Sequence, residues 1–148
     1  MIIRKAKEGD TMTTREELEG IALLAADIEI ILKILARQRK ALFQFPHVSA
    51  MTAKYGEHVG HASSAYDWTE EHLQNYLNTS ERLELLERER ERRIMRILAI
   101  PYAIPKRIVY MRFVDGTDWP TIAESVHVSE RHAMRLMQQG IESYAENE

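Results

Sequence analysis

Ser129, Glu130, Arg131, Met134, Arg135 and Gln138 follow one another at steps of one and three. On a helix of 3.6 residues per turn such positions share one face. Their chemistry suits nucleic acid: an arginine fork matches the O6 and N7 acceptors of guanine, a glutamine amide matches adenine, and both reach phosphate oxygens. Lys106 and Arg107 add two cations upstream, suited to phosphate. These eight residues are the candidate DNA contacts.

A set of this kind needs a helix with its back held. Ser129 is placed to cap one running through at least Ile141, with Ala133, Leu136 and Ile141 inward. Before it, Asp118 offers a side-chain cap, Trp119-Pro120 opens a short helix in which an early proline is tolerated, and Ile122, Ala123 and Val126 supply its inner face. His127-Val128 connects the two, and the small Ala123 permits a tight crossing. Ile108, Val109, Met111 and Phe113 mark a further helix that Asp115-Gly116 closes, Gly116 being free to take positive φ. Residues 101–148 are thus expected to form a three-helix helix-turn-helix domain, with Phe113 and Trp119 in its core.

Residues 12–100 predict an assembly element. Thr13 or Thr14 with Glu16 or Glu17 forms a capping-box pattern. From there Ile21, Leu24, Ile28, Ile31 and Leu35 repeat at steps of 3 and 4, and Leu23, Ile30, Leu32 and Ile34 widen the stripe. This helix is expected over about 14–44, ending before Pro46. Pro46, Gly56, Gly60, Ser63 and Ser64 predict an irregular loop over 46–66. A second helix is expected over about 68–100, with Leu73, Tyr76, Leu83, Leu86, Ile94, Ile97 and Leu98 on its apolar side. Its charged middle offers Glu84–Arg88 and Glu89–Arg93 pairs four apart. Arg88, Arg90, Arg92, Arg93 and Arg96 either flank a DNA groove with Lys106 and Arg107 or form a solvated surface. The whole is all-α: a long helical hairpin, pairing as a homodimer, followed by the helix-turn-helix domain.

Residues 1–11 are expected to be a disordered leader. Lys7-Glu8-Gly9 can be encoded AAGGAGG, a ribosome-binding string, which makes Met12 a candidate start. No secretory signal is expected, and the longest apolar run, Ile21 to Leu35, is broken by Asp27, Glu29 and Lys33, short of the roughly 20 clean apolar residues of a membrane span. A cytoplasmic protein without membrane contact is expected.

With 20 basic against 23 acidic residues, the chain has no general pull toward phosphate. Residues 101–148 carry five basic and seven acidic side chains, so DNA affinity must come from placement and from doubling in a dimer. Zero cysteines exclude disulfides and thiolate chemistry. His58 and His61 are three apart but lack further ligands at regular spacing, and His127 and His132 suit packing or a phosphate. No metal, cofactor or catalytic constellation is expected, and the protein reads as a non-enzyme.

The series Met111-Arg112-Phe113-Val114-Asp115-Gly116-Thr117-Asp118-Trp119-Pro120-Thr121-Ile122-Ala123-Glu124, then Val128-Ser129-Glu130-Arg131-His132-Ala133-Met134-Arg135-Leu136, resembles region 4 of sigma-70 factors. More closely it is similar to the sigma-70-region-4-like proteins of Gram-positive prophages, including the ArpU and RinA types of late-gene regulator. The resemblance covers about residues 105–141, and only the architecture over 14–100. It implies promoter-proximal binding of double-stranded DNA, transcription regulation and contact with RNA polymerase. Pro120 stands where that group has an acidic or polar residue, Ala133 where it has valine, and Gly140 where alanine is common. Gly140 costs roughly 1 kcal/mol of helix propensity, which predicts an early-fraying recognition helix. Two other functions fit the same pattern: a small-terminase-like packaging protein, and a polymerase-binding module that does not read DNA.

Overall fold

The computed structural model describes residues 12–54 and 59–147, and only the backbone between 45 and 67; over these residues the chain is all-α. Five helices follow in order: α1 (Thr14–Lys54), α2 (Val59–Leu98), α3 (Ala103–Phe113), α4 (Trp119–Val126) and α5 (Glu130–Glu146). The expected leader, His58 and the His61 side chain lie outside the described residues. None of the helices is long and apolar enough to cross a membrane among the described residues.

α1 begins on the reciprocal cap: Thr13 Oγ1 accepts from the Glu16 amide at 3.2 Å, and Glu16 Oε2 accepts from the Thr13 amide at 3.3 Å. It does not stop before Pro46 but continues to Lys54, and α2 begins at Val59 rather than near residue 68. The irregular stretch expected over 46–66 is therefore helical for most of its length. A proline removes one amide donor from the ladder, whereas each residue that extends an existing helix adds a bond, so a long helix can carry the loss.

The described residues divide into two compact units, one of Met1–Ala25 with Arg88–Glu148, the other of Ala26–Glu87. In the first, α3, α4 and α5 pack on one another pairwise. Ile108, Val109, Phe113, Ile122, Val126, Ala133, Met137, Ile141 and Tyr144 form one core with Leu18 and Ile21 of α1 and Ile97 of α2. Ile100, just past α2, closes it. Burying these side chains is the main stabilising contribution, at about 1.5–3 kcal/mol for each large aliphatic.

In the second unit, the half-buried residues of α1 are Ile28, Ile31, Ile34, Leu35, Gln38, Ala41 and Leu42. Those of α2 include Thr69, His72, Tyr76, Thr79, Leu83 and Leu86, at alternating steps of 3 and 4. Leu73, expected on the apolar side, lies one position off this seam and is exposed, as are Ile30, Leu32, Phe43, Leu77 and Leu85. Leu98, in the first unit, is likewise exposed against expectation, beside the buried Ile97.

Candidate nucleic-acid interface

The turn after α3 depends on Gly116, at φ +67°, a conformation in which a side chain is strained. Arg112 fixes this turn from the side: its Nη1 donates to the Thr117 carbonyl at 3.1 Å and its guanidinium lies 5.2 Å from the centre of the Trp119 ring. Trp119 is half-buried against the core, and Phe113 is buried in it. α4 starts at Asp118, whose Oδ1 accepts from the Thr121 amide at 3.1 Å. Hydrogen bonds from the Thr121 side chain and amide hold the Asp118 carboxyl below its usual range.

α4 ends in a Schellman arrangement. The Val128 amide bonds the Ala123 carbonyl at 3.1 Å and the His127 amide bonds the Glu124 carbonyl at 3.3 Å, with His127 itself left-handed at φ 58°. His127 is exposed and serves the backbone turn. Ala123 is buried, so its small side chain sits where the turn folds back.

Ser129 then caps α5, its Oγ accepting from the His132 amide at 3.2 Å. Ala133, Met137, Gly140, Ile141 and Tyr144 face the core, while Leu136 is half-buried against it. The opposite arc carries Glu130, Arg131, Met134, Arg135 and Gln138, all exposed, with Ser129 exposed at its start. Neither Arg131 nor Arg135 has an ion-pair partner among the described residues. Lys106, half-buried, and Arg107, exposed, lie on α3. They line an open groove of about 420 Å³ with Ile94, Leu98, Ala103, Tyr110 and Met111.

α5 does not fray at Gly140; it runs on to Glu146. Gly140 is buried where a Cβ would stand 2.7 Å from Val109 Cγ2, 3.1 Å from the Pro105 carbonyl oxygen and 3.3 Å from Pro105 Cβ. A glycine here lets α5 approach α3 closely, and that packing outweighs its poor helix propensity.

The arginine run at the end of α2 is divided: Arg88 and Arg92 lie on the exposed surface, Arg92 in an intrahelical pair with Glu89, while Arg93 and Arg96 are drawn into the molecule. Glu17 Oε1 accepts from Arg92 Nη2 at 3.0 Å, Arg96 Nη1 at 2.7 Å and the Tyr144 hydroxyl at 2.9 Å. Arg93 donates to the Glu17 carbonyl at 2.8 Å and to Glu89 at 2.9 Å, as its spacing from Glu89 predicts. Arg96 lies 4.0 Å over the Tyr144 ring and donates to the Tyr144 carbonyl at 3.0 Å. Arg93 and Arg96 are thereby committed inside the molecule, because a guanidinium that leaves water must be paired, while the Arg92 side chain stays 49% exposed at the edge of the cluster. The hydrogen bond from Arg92 chiefly, then that from Arg93, lowers the Glu89 carboxyl to about 2 against an opposing contribution from burial. Burial above all, then the bond to Glu17, pushes the Tyr144 hydroxyl well above its usual range. Sequence reasoning missed Glu17 and Tyr144 as positioning residues. The steps of 4, 4 and 3 through Ala133, Met137, Ile141 and Tyr144 were the available sign that α5 continues inward.

The chain matches no family model, and no curated protein or solved structure is significantly similar to it.

Proposed function

We propose that this chain is a sequence-specific DNA-binding transcription regulator of phage or prophage origin, in which α4, the turn at His127 and α5 act as a helix-turn-helix with α5 as the recognition helix. The observation that carries the reading is the division of α5. Its buried side is locked to α3 and α4, while Arg131, Met134, Arg135 and Gln138 form an exposed arc behind the Ser129 cap. A rigid helix presenting arginine and glutamine on one side is what major-groove readout requires. The long helices act in this reading as a hairpin that joins two copies, doubling a contact surface otherwise poor in positive charge.

A second reading is favoured by the groove beside α3. Its apolar floor, with exposed Tyr102 and Ile104 nearby and Lys106 and Arg107 in its lining, suits an apolar helix of RNA polymerase. The two readings separate in one experiment. Arg131→Ala with Arg135→Ala, assayed on the late promoter region of the host phage, abolishes DNA binding and spares polymerase association if α5 reads DNA. If the polymerase groove is the whole function, wild type shows association without DNA binding. A ring-sized mass in solution points to the packaging alternative instead.

A further inference from the structure

The second unit has an apolar side that the hairpin seam does not use. With alternating steps of 3 and 4 defining the seam, Leu32 and Phe43 of α1 flank it on one side, with Ala36 between them. Leu32 is 49% exposed and Phe43 72%. On α2 the equivalent flank carries Leu73, 46% exposed, and Leu77, 50% exposed. In an antiparallel hairpin, the positions following each seam residue by the same offset fall on the same side of both helices. Four residues separate Lys54 from Val59, a connection of the length that lets α2 return alongside α1 as an antiparallel hairpin. Leu32, Phe43, Leu73 and Leu77 then share one broad face. The other flank carries Ile30 and Ile34 on α1 and, on α2, Leu85 at 59% exposure beside the polar Asn75, Asn78 and Arg82.

The charges bordering this face are divided by helix. The α1 half is bordered by Lys33, Arg39 and Lys40, with Glu29 the single acid, already 3.6 Å from Lys33. Arg39 lies over the Phe43 ring at 5.7 Å. The α2 half is bordered by Glu70, Glu81, Glu84 and Glu87, with Arg88 the single cation, all exposed. A face basic on one helix and acidic on the other is complementary to its own copy turned about an axis parallel to the helices.

We infer that this face binds a second copy of the chain, with α1 of each protomer lying on α2 of its partner in a four-helix bundle whose two-fold axis runs along the helices. The partner is fixed by charge: turning the copy about an axis across the helices would set α1 on α1 and bring the cations together. With α2 returning alongside α1, the Arg39 and Lys40 cations then lie within about one helical turn of the height of the partner's Glu70, and Lys33 level with the partner's Glu81. The inference deepens the hairpin-dimer reading above and does not involve DNA.

The test is sedimentation velocity on full-length chains without DNA. One variant carries Arg39→Glu with Lys40→Glu, the other Glu70→Lys with Glu81→Lys. Wild type is expected at twice 17.3 kDa. Each variant alone is expected to dissociate at least tenfold more readily, and an equimolar mixture to recover the dimer, since both contacts in a mixed pair are again opposite in sign. Recovery also shows that the variants fold. A wild-type monomer at 100 μM, a larger ring, or dimers of either variant as tight as wild type would overturn the inference. Whether the hairpin itself holds is read separately, by an intrachain bismaleimide link between Arg37→Cys and Asn75→Cys, which lie on the opposite flank. A link without dimers refutes only the face proposed here; failure to link refutes the hairpin.

Discussion

Replacing Gly140 by alanine sets two effects of opposite sign against each other. In an exposed helix the change stabilises by roughly 1 kcal/mol, since glycine has the poorer propensity. At this position the new methyl meets Val109 Cγ2 at 2.7 Å and the Pro105 carbonyl oxygen at 3.1 Å. Neither neighbour yields readily: valine is stiff at χ1, and the oxygen belongs to the backbone of α3. Overpacking of this kind costs about 1–3 kcal/mol. The expected balance is a net destabilisation of about 1 kcal/mol, or 2–4 °C in Tm for a chain of this size. Thermal unfolding by circular dichroism reads it, with the exposed neighbour Gln139→Ala as the propensity control. Gln139→Ala is expected within about 0.5 kcal/mol of wild type. If Gly140→Ala raised Tm, the close approach of α5 to α3 would be wrong.

Four further outcomes follow from the same contacts. Glu17→Ala removes the shared acceptor of Arg92, Arg96 and Tyr144 and is expected to cost about 3 kcal/mol in urea unfolding, because Arg96 is left buried without its anion. Tyr144→Phe removes one bond to the same carboxylate and should cost less, about 1.5 kcal/mol, so equal losses would contradict the network. The folded Glu89 carboxyl, at about 2, lies below its ordinary value of 4.5. Its contribution is therefore complete above about pH 4.5 and is lost as pH falls toward 2, so Tm should drop between pH 5 and 2.5 and drop less in Glu89→Gln. Ser129→Ala, which removes the cap of α5, should cost about 1 kcal/mol, with no loss seen for the neighbouring exposed Glu130→Ala.

The helices from residue 101 onward were legible because local chemistry fixes them. Asp118 and Ser129 cap through bonds three residues long, Gly116 takes the positive φ its type permits, and the buried Ile122, Ala123, Val126 and Ala133 fall at helical spacing. What was missed depends on distance along the chain. The bond between Tyr144 and Glu17 spans 127 residues, so no local pattern announces that the basic run at Arg92–Arg96 is an internal fastener. Gly140 reads locally as a helix weakener, and only the arrival of Val109 and Pro105 makes it a packing requirement. Pro46 was misread for the opposite reason: a local breaking rule was given more weight than the length of helix around it.

The outward face of α5 is the site on which the functional reading stands, and the most direct measurement is the salt dependence of binding to labelled promoter duplex by fluorescence anisotropy. With Arg131 and Arg135 each neutralising one phosphate in both protomers of a dimer, log affinity should fall against log salt with a slope of about −3.6, roughly 150-fold between 50 and 200 mM. Replacing one of these arginines by alanine in both protomers should make the slope shallower by about 1.8. Binding that is insensitive to salt, a slope unchanged by either substitution, or no binding at micromolar protein in 50 mM salt would contradict the assignment of α5 to DNA.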